Sequence, residues 1–152
     1  MPSSWSSSLA AAALTVLLPF TAEAGPKEEA QAALAAWEAA FNAGDADAVA
    51  RFYLPDATVH GLVSSTLIVG EEALRRYFAA PLKARARIAF GDTTLQELTG
   101  DTVVATGYEE ASAMLPDGRA ITIPGRYTFV LVKRDGAWRI AHQHSSSRFR
   151  PQ

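Results

Sequence analysis

The sequence predicts an α+β domain, with helices gathered in its first half and an antiparallel sheet in its second. Apolar residues between Ala30 and Phe41 recur at three- and four-residue spacing, the period of a helix. From Arg85 onward the pattern changes to long strand-like stretches. These are punctuated by the turn signals Thr99-Gly100-Asp101, Pro116-Asp117-Gly118 and Asp135-Gly136. Helices first and strands last is the order of an α+β domain rather than of alternating βαβ units.

Each element has its own signal. Pro26–Ala43 reads as a helix, opened by Pro26 and the acidic Glu28 and Glu29, striped by Ala30, Ala33, Leu34, Trp37, Ala40 and Phe41, and stopped at Asn42-Ala43-Gly44. Asp45 caps a short second helix running to about Tyr53, and Pro55-Asp56 ends it. Ala57–His60 and Ser65–Val69 read as short strands. A third helix covers Glu71–Ala80, with Leu74, Tyr77 and Phe78 as its stripe and Pro81 as its stop. Strands then follow over Arg85–Leu98, Thr102–Leu115, Ala120–Lys133 and Ala137–Arg148. No repeat and no linker interrupts residues 25–152, which are expected to form one domain.

Composition narrows the function classes. The chain has 152 residues, 49% hydrophobic and 20% charged, which suffices for one packed core. A net charge of −2 and a pI near 5.9 leave no basic footprint for nucleic acid. With no cysteine, disulfides, thiolate metal sites and cysteine nucleophiles are excluded. The apolar run Leu9–Phe20 is too short to span a bilayer, which takes about 20 residues, and Ala22-Glu23-Ala24 supplies an A-x-A cleavage signal. Residues 1–24 therefore read as a signal peptide, although their start carries no Lys or Arg. The expectation is a periplasmic or secreted protein with no membrane contact after cleavage.

Chemistry concentrates at the C-terminal hairpin. Trp138, Ile140, His142 and His144 alternate, so a regular strand puts all four on one face. Because Trp138 and Ile140 need burial, His142 and His144 are expected to line an apolar cavity, as an acid/base pair, a ligand anchor or a structural pair. A metal reading would need His60 as third ligand, and no sequence feature brings it near; no metal and no cofactor are expected. On the strand before the hairpin, Val103, Ala105, Gly107 and Glu109 share one face, and Tyr108 and Glu110 the other. Tyr108 and Tyr127 are the preferred pocket tyrosines because their strands flank the histidine strand, ahead of Tyr53 and Tyr77.

The element order, together with Asn42-Ala43-Gly44-Asp45, Gly70 with Tyr77-Phe78, Asp135-Gly136-x-Trp138-x-Ile140-x-His142-x-His144 and Ser145-Ser146, resembles the nuclear transport factor 2-like (NTF2-like) superfamily. Within it, the sequence is similar to the association (hub) domain of calcium/calmodulin-dependent protein kinase II and its SnoaL-like bacterial relatives. The resemblance implies a conical barrel, three helices packed on a strongly curved antiparallel sheet, with a pocket between helix and sheet. It also implies a homodimer or larger homo-oligomer and a small-molecule ligand of unknown identity. Positions that carry pocket arginines in the kinase hub fall here on Glu110, Phe129 and Ser145. Glu110 is thus the carboxylate the family register turns inward. Arg126 is the remaining basic candidate and would need a bulge to face in. The implied ligand-binding set is Arg126, His142, His144, Glu110, Tyr108, Tyr127 and His60, with His142, His144 and Glu110 as catalytic candidates. Three functions stay open: an exported small-molecule-binding domain, a cofactor-independent enzyme of polyketide-cyclase or isomerase type, or an oligomerisation module.

Overall fold

A computed structural model describes residues 24–148, so the expected signal peptide, all but Ala24, lies outside the described residues. The elements run α1 (Pro26–Ala43), α2 (Ala46–Ala50), β1 (Tyr53–His60), β2 (Ile68–Val69), α3 (Glu71–Lys83), β3 (Arg87–Thr99), β4 (Thr102–Met114), β5 (Ala120–Arg134) and β6 (Ala137–Ser147). The six strands make one sheet in the order β2-β1-β6-β5-β4-β3. The α+β architecture is as the sequence predicts. The sheet, however, is open and mixed: β1 runs parallel to β6, and every other pairing is antiparallel. A tight turn forces neighbours to be antiparallel. β1 and β6 are joined by most of the domain instead, so no turn dictates their relative direction.

Local chemistry explains most boundaries. Gly44 closes α1 with φ 83°, a left-handed cap, and the Asp45 side chain accepts the Ala48 N–H at 2.9 Å to open α2. Asp135 and Gly136, with φ of 51° and 76°, form the tight turn between β5 and β6. Two proline readings need correction. Pro81 does not end α3, which continues to Lys83; in that turn the ring removes one backbone donor without stopping the helix. Pro55 lies inside β1, where the register against β6 breaks between Tyr53 and Thr58. A proline is tolerated at such a break because no ladder donor is needed. Tyr53 accordingly opens β1 rather than closing α2.

The helices cover one face of the sheet. Trp37 of α1 sits at the centre of an aromatic cluster, stacked on Phe41 at 5.5 Å and Phe90 at 5.7 Å and edge-on to Phe78 and Phe129. The Asn42 amide clamps α1 to β3, donating to the Ile88 carbonyl at 2.8 Å and accepting the Ile88 N–H at 2.9 Å. At the other end of α1, Glu29 accepts from Lys133 Nζ at 2.6 Å and Trp138 Nε1 at 2.7 Å, tying the helix start to the hairpin.

One irregularity decides what faces the helices. Across β5 and β6, Leu131 pairs with Ile140 and Val130 with His142, so Ala141 is an extra, unpaired residue. Such a bulge shifts the alternation by one and reverses the side-chain faces beyond it. Trp138 and Ile140 are buried before the bulge; after it Gln143 and Ser145 are buried, His142 is half-buried and His144 is exposed.

Deleting Ala141 removes only the inserted residue, so Trp138, Ile140, Gln143 and Ser145 should keep one face of a regular β6, and His142 and His144 the other. In urea unfolding the expected cost is about 1 kcal/mol, that of an ordinary substitution and well below that of burying two imidazoles. Ala141→Gly, which keeps the extra residue, should cost at most about 1 kcal/mol.

Candidate functional site

Between α1, α3 and the concave sheet face lies a cavity of about 230 Å³. Its walls are mostly apolar, including Trp37, Phe41, Phe78, Ile88, Ile121 and Ile123. The polar lining comes from Tyr77, Glu109, Ser112, Gln143 and Ser145. For scale, an apolar cavity of roughly 150 Å³ holds benzene, and pockets for drug-sized ligands begin near 300 Å³. The space therefore suits a single ring with short substituents.

Glu109 is the chemical centre of this cavity. It shares the inner face of β4 with Val103 and Ala105 and is 2% exposed. Neither carboxylate oxygen has a hydrogen-bond partner. Burial penalises the charged form and raises its pKa to about 7, and Ser145 alongside offsets this only in part. Across β5 its register partner is Gly125, and a Cβ there would lie 2.8 Å from Glu109 Cγ. The glycine is what allows the Glu109 side chain to fold over the neighbouring strand.

Polar groups converge on this carboxylate. The Tyr53 hydroxyl donates to Gln143 Oε1, and Gln143 Nε2 donates to Ser145 Oγ at 3.1 Å. The Ser145 O–H is left to serve Glu109 or an occupant of the cavity. Trp37 Nε1 is a second buried donor with no partner; the Tyr53 hydroxyl lies beside it, short of hydrogen-bond geometry. The Tyr77 hydroxyl is wedged against Gly61, where a Cβ would sit 2.1 Å away, and burial raises its pKa. The walls thus hold one proton acceptor poised near neutrality and several donors.

The residues expected from sequence are placed differently. His142 and His144 point away from the cavity, to the outer sheet face, because of the bulge at Ala141. His60 is on that outer face too, paired in register with His144. Glu110 faces outward and Glu109 inward, one residue from the family register. Arg126 is also outside: the β4–β5 register is unbroken, so no bulge turns it in, and its Nε donates to Ser146 Oγ at 3.1 Å. Tyr108 is 48% exposed beneath the Arg148 guanidinium, 4.5 Å from its ring centroid. Tyr127 is on the inner face but buried against Phe90 and Phe129, its hydroxyl hydrogen-bonded to Thr93. The groups that do line the cavity were visible only in part. Glu109 shares the alternation of Val103 and Ala105, whereas Gln143 and Ser145 carry no signal until the bulge is known.

The raised pKa of Glu109 makes stability pH-dependent. The folded chain binds more protons than the unfolded one between the ordinary glutamate value of 4.5 and about 7. Stability should therefore be full below pH 4.5, fall as pH rises, and level off above 7, by about 3 kcal/mol in all for this group. Urea unfolding of Glu109→Gln across this range should lack that slope and be the more stable protein above pH 7.

Comparison with known proteins agrees with this architecture. Residues 30–150 match the family described as SnoaL-like domain. A solved structure from Xanthomonas campestris, named for the calcium/calmodulin dependent protein kinase II association domain, is 31% identical; the match covers 88% of this chain and 93% of that one, with a TM-score of 0.76. A ketosteroid isomerase-like protein from Erwinia carotovora atroseptica is 20% identical over 82% of this chain and 97% of that one, with a TM-score of 0.72. An NTF2-like family protein from Streptomyces avermitilis, named for a dehydratase, is 16% identical with the same coverages and TM-score. At those two identities the likeness concerns the fold alone. No curated protein matches. With its three helices laid over a curved sheet and a family match across most of its length, this chain belongs to the SnoaL-like domain family of the NTF2-like fold.

Proposed function

We propose that this chain is a cofactor-independent enzyme that moves a proton on a small, mainly apolar carbonyl compound, with Glu109 as the general base. The observation that carries the reading is a buried carboxylate with no hydrogen-bond partner, a pKa near 7 and an apolar cavity in front of it. A base works best when its pKa lies near the working pH. Glu109 would take a proton from the carbon beside the carbonyl, leaving an enolate and a neutral carboxyl. Returning that proton to another carbon gives an isomer and restores the carboxylate. Ser145 Oγ, Trp37 Nε1 and the Tyr77 hydroxyl are the donors available to the developing oxyanion. The names borne by the Erwinia and Streptomyces proteins, isomerase-like and dehydratase, belong to the same broad chemistry. The run Leu9–Phe20 and the Ala22-Glu23-Ala24 signal support an exported enzyme.

The test is exchange of solvent deuterium into a panel of monocyclic enones and β-diketones, followed by NMR. Exchange by the wild type should rise with pH through about 7 as Glu109 ionises. Glu109→Gln should lose about 10²- to 10⁴-fold. Exchange that survives this substitution would overturn the role of Glu109. Saturable binding with no exchange at any pH would leave the cavity a binding site only.

A further inference from the structure

The chain has three histidines, and all three stand together on the outer sheet face, on the opposite side from the cavity. His60 is the register partner of His144 across the parallel β1–β6 pair, and its ring centroid is 5.6 Å from that of His144 and 6.3 Å from that of His142. The Ala141 bulge creates this grouping, since an unbroken β6 would send His142 and His144 to the other face.

We propose that His60, His142 and His144 bind a transition-metal ion of the zinc or copper(II) class. Imidazole is the ligand type that suits these ions, and three histidines with an open fourth position form a known kind of coordination set. Tetrahedral zinc with Zn–N bonds of about 2.0 Å places imidazole centroids roughly 5 Å apart. The observed 5.6 and 6.3 Å exceed that by about 0.6 and 1.3 Å. The site is not closed in the present conformers: among the described residues, no three His, Cys, Asp or Glu side chains are already arranged to hold an ion. Closing it requires ring rotation at His60 and His144, both of which are exposed.

Two features prepare the site. The Thr58 hydroxyl lies 2.8 Å from His142 Nδ1. When Nδ1–H donates to that oxygen, Nε2 keeps its lone pair for a metal, the outer-shell arrangement usual for metal-binding histidines. The register partners of His142 and His144 on β5 are the uncharged Val130 and Thr128; Arg126 lines the same groove as His144 and donates to Ser146 Oγ at 3.1 Å. Thr58 acts here as a positioning residue. An ion held this way would staple β1 to β6, and the site is independent of the Glu109 chemistry on the opposite face.

The experiment is isothermal titration of the full chain, stripped with chelator, using Zn²⁺ alone and then Cu²⁺ alone. One ion per chain should bind, the unfolding midpoint should rise with ion concentration, and the C2 protons of all three histidines should shift in NMR. His60→Ala should weaken binding about tenfold or more, and His142→Ala/His144→Ala should abolish it. Thr58→Val should weaken it about 10- to 100-fold, with Thr58→Ser restoring it. Unloaded variants with the wild-type unfolding midpoint establish that they fold. The proposal is overturned if neither ion binds at 100-fold molar excess, or if binding persists in the His60→Ala and His142→Ala/His144→Ala variants.

Discussion

Ala141 has no partner across β5, and the consequences of that one unpaired residue reach both faces of the sheet. A strand alternates its side chains with period two, so a single inserted residue reverses every assignment beyond it. Before the insertion Trp138 and Ile140 pack into the core. After it, Gln143 and Ser145 enter the cavity, while the two histidines join His60 outside. The cavity thereby gains neutral hydrogen-bonding groups in place of imidazoles, and its only buried titratable acid is Glu109 among the described residues. The bulge also fits the break opposite it, where β1 loses register around Pro55.

Glu109 shows how the fold stores a cost at the position proposed as the base. A carboxylate in an apolar wall loses its hydration, and no backbone donor or cation replaces it here. The chain tolerates this because the acid can remain protonated over part of the physiological range. Gly125 accommodates the side chain across the next strand, and the Tyr53–Gln143–Ser145 chain brings oriented dipoles beside it. None of these features strengthens the core. Each suits the proton-transfer role proposed for Glu109.

Much of the fold was legible because it rests on local signals. The 3.6-residue stripe of α1, the Gly44 cap and the Asp135-Gly136 turn all act within a few residues. So was the α+β order. What could not be read depends on pairings between distant segments. The parallel β1–β6 contact joins residues more than 80 positions apart, and nothing near either strand announces it. A bulge leaves no clear mark when the inserted residue is an alanine, so the histidines were assigned to the wrong face. The choice between Glu109 and Glu110 was different. Glu109 shares a face with the small, apolar Val103 and Ala105, but that alternation alone leaves the choice between the two carboxylates open, and the register carried over from relatives favours Glu110, which the structure turns outward. Arg126 illustrates the converse, since strict alternation placed it outside and the unbroken β4–β5 ladder keeps it there.

The proposed cavity chemistry depends on the charge state of one buried carboxyl. The direct measurement is a carbon-13 NMR titration of the chain labelled at its glutamate carboxyls, with Glu109 assigned by its absence from the Glu109→Gln spectrum. A midpoint near 7 is the predicted result, with the other glutamates titrating well below it. A midpoint near 4.5, the ordinary glutamate value, would mean that Glu109 is solvated or paired, and would contradict the cavity chemistry proposed for it.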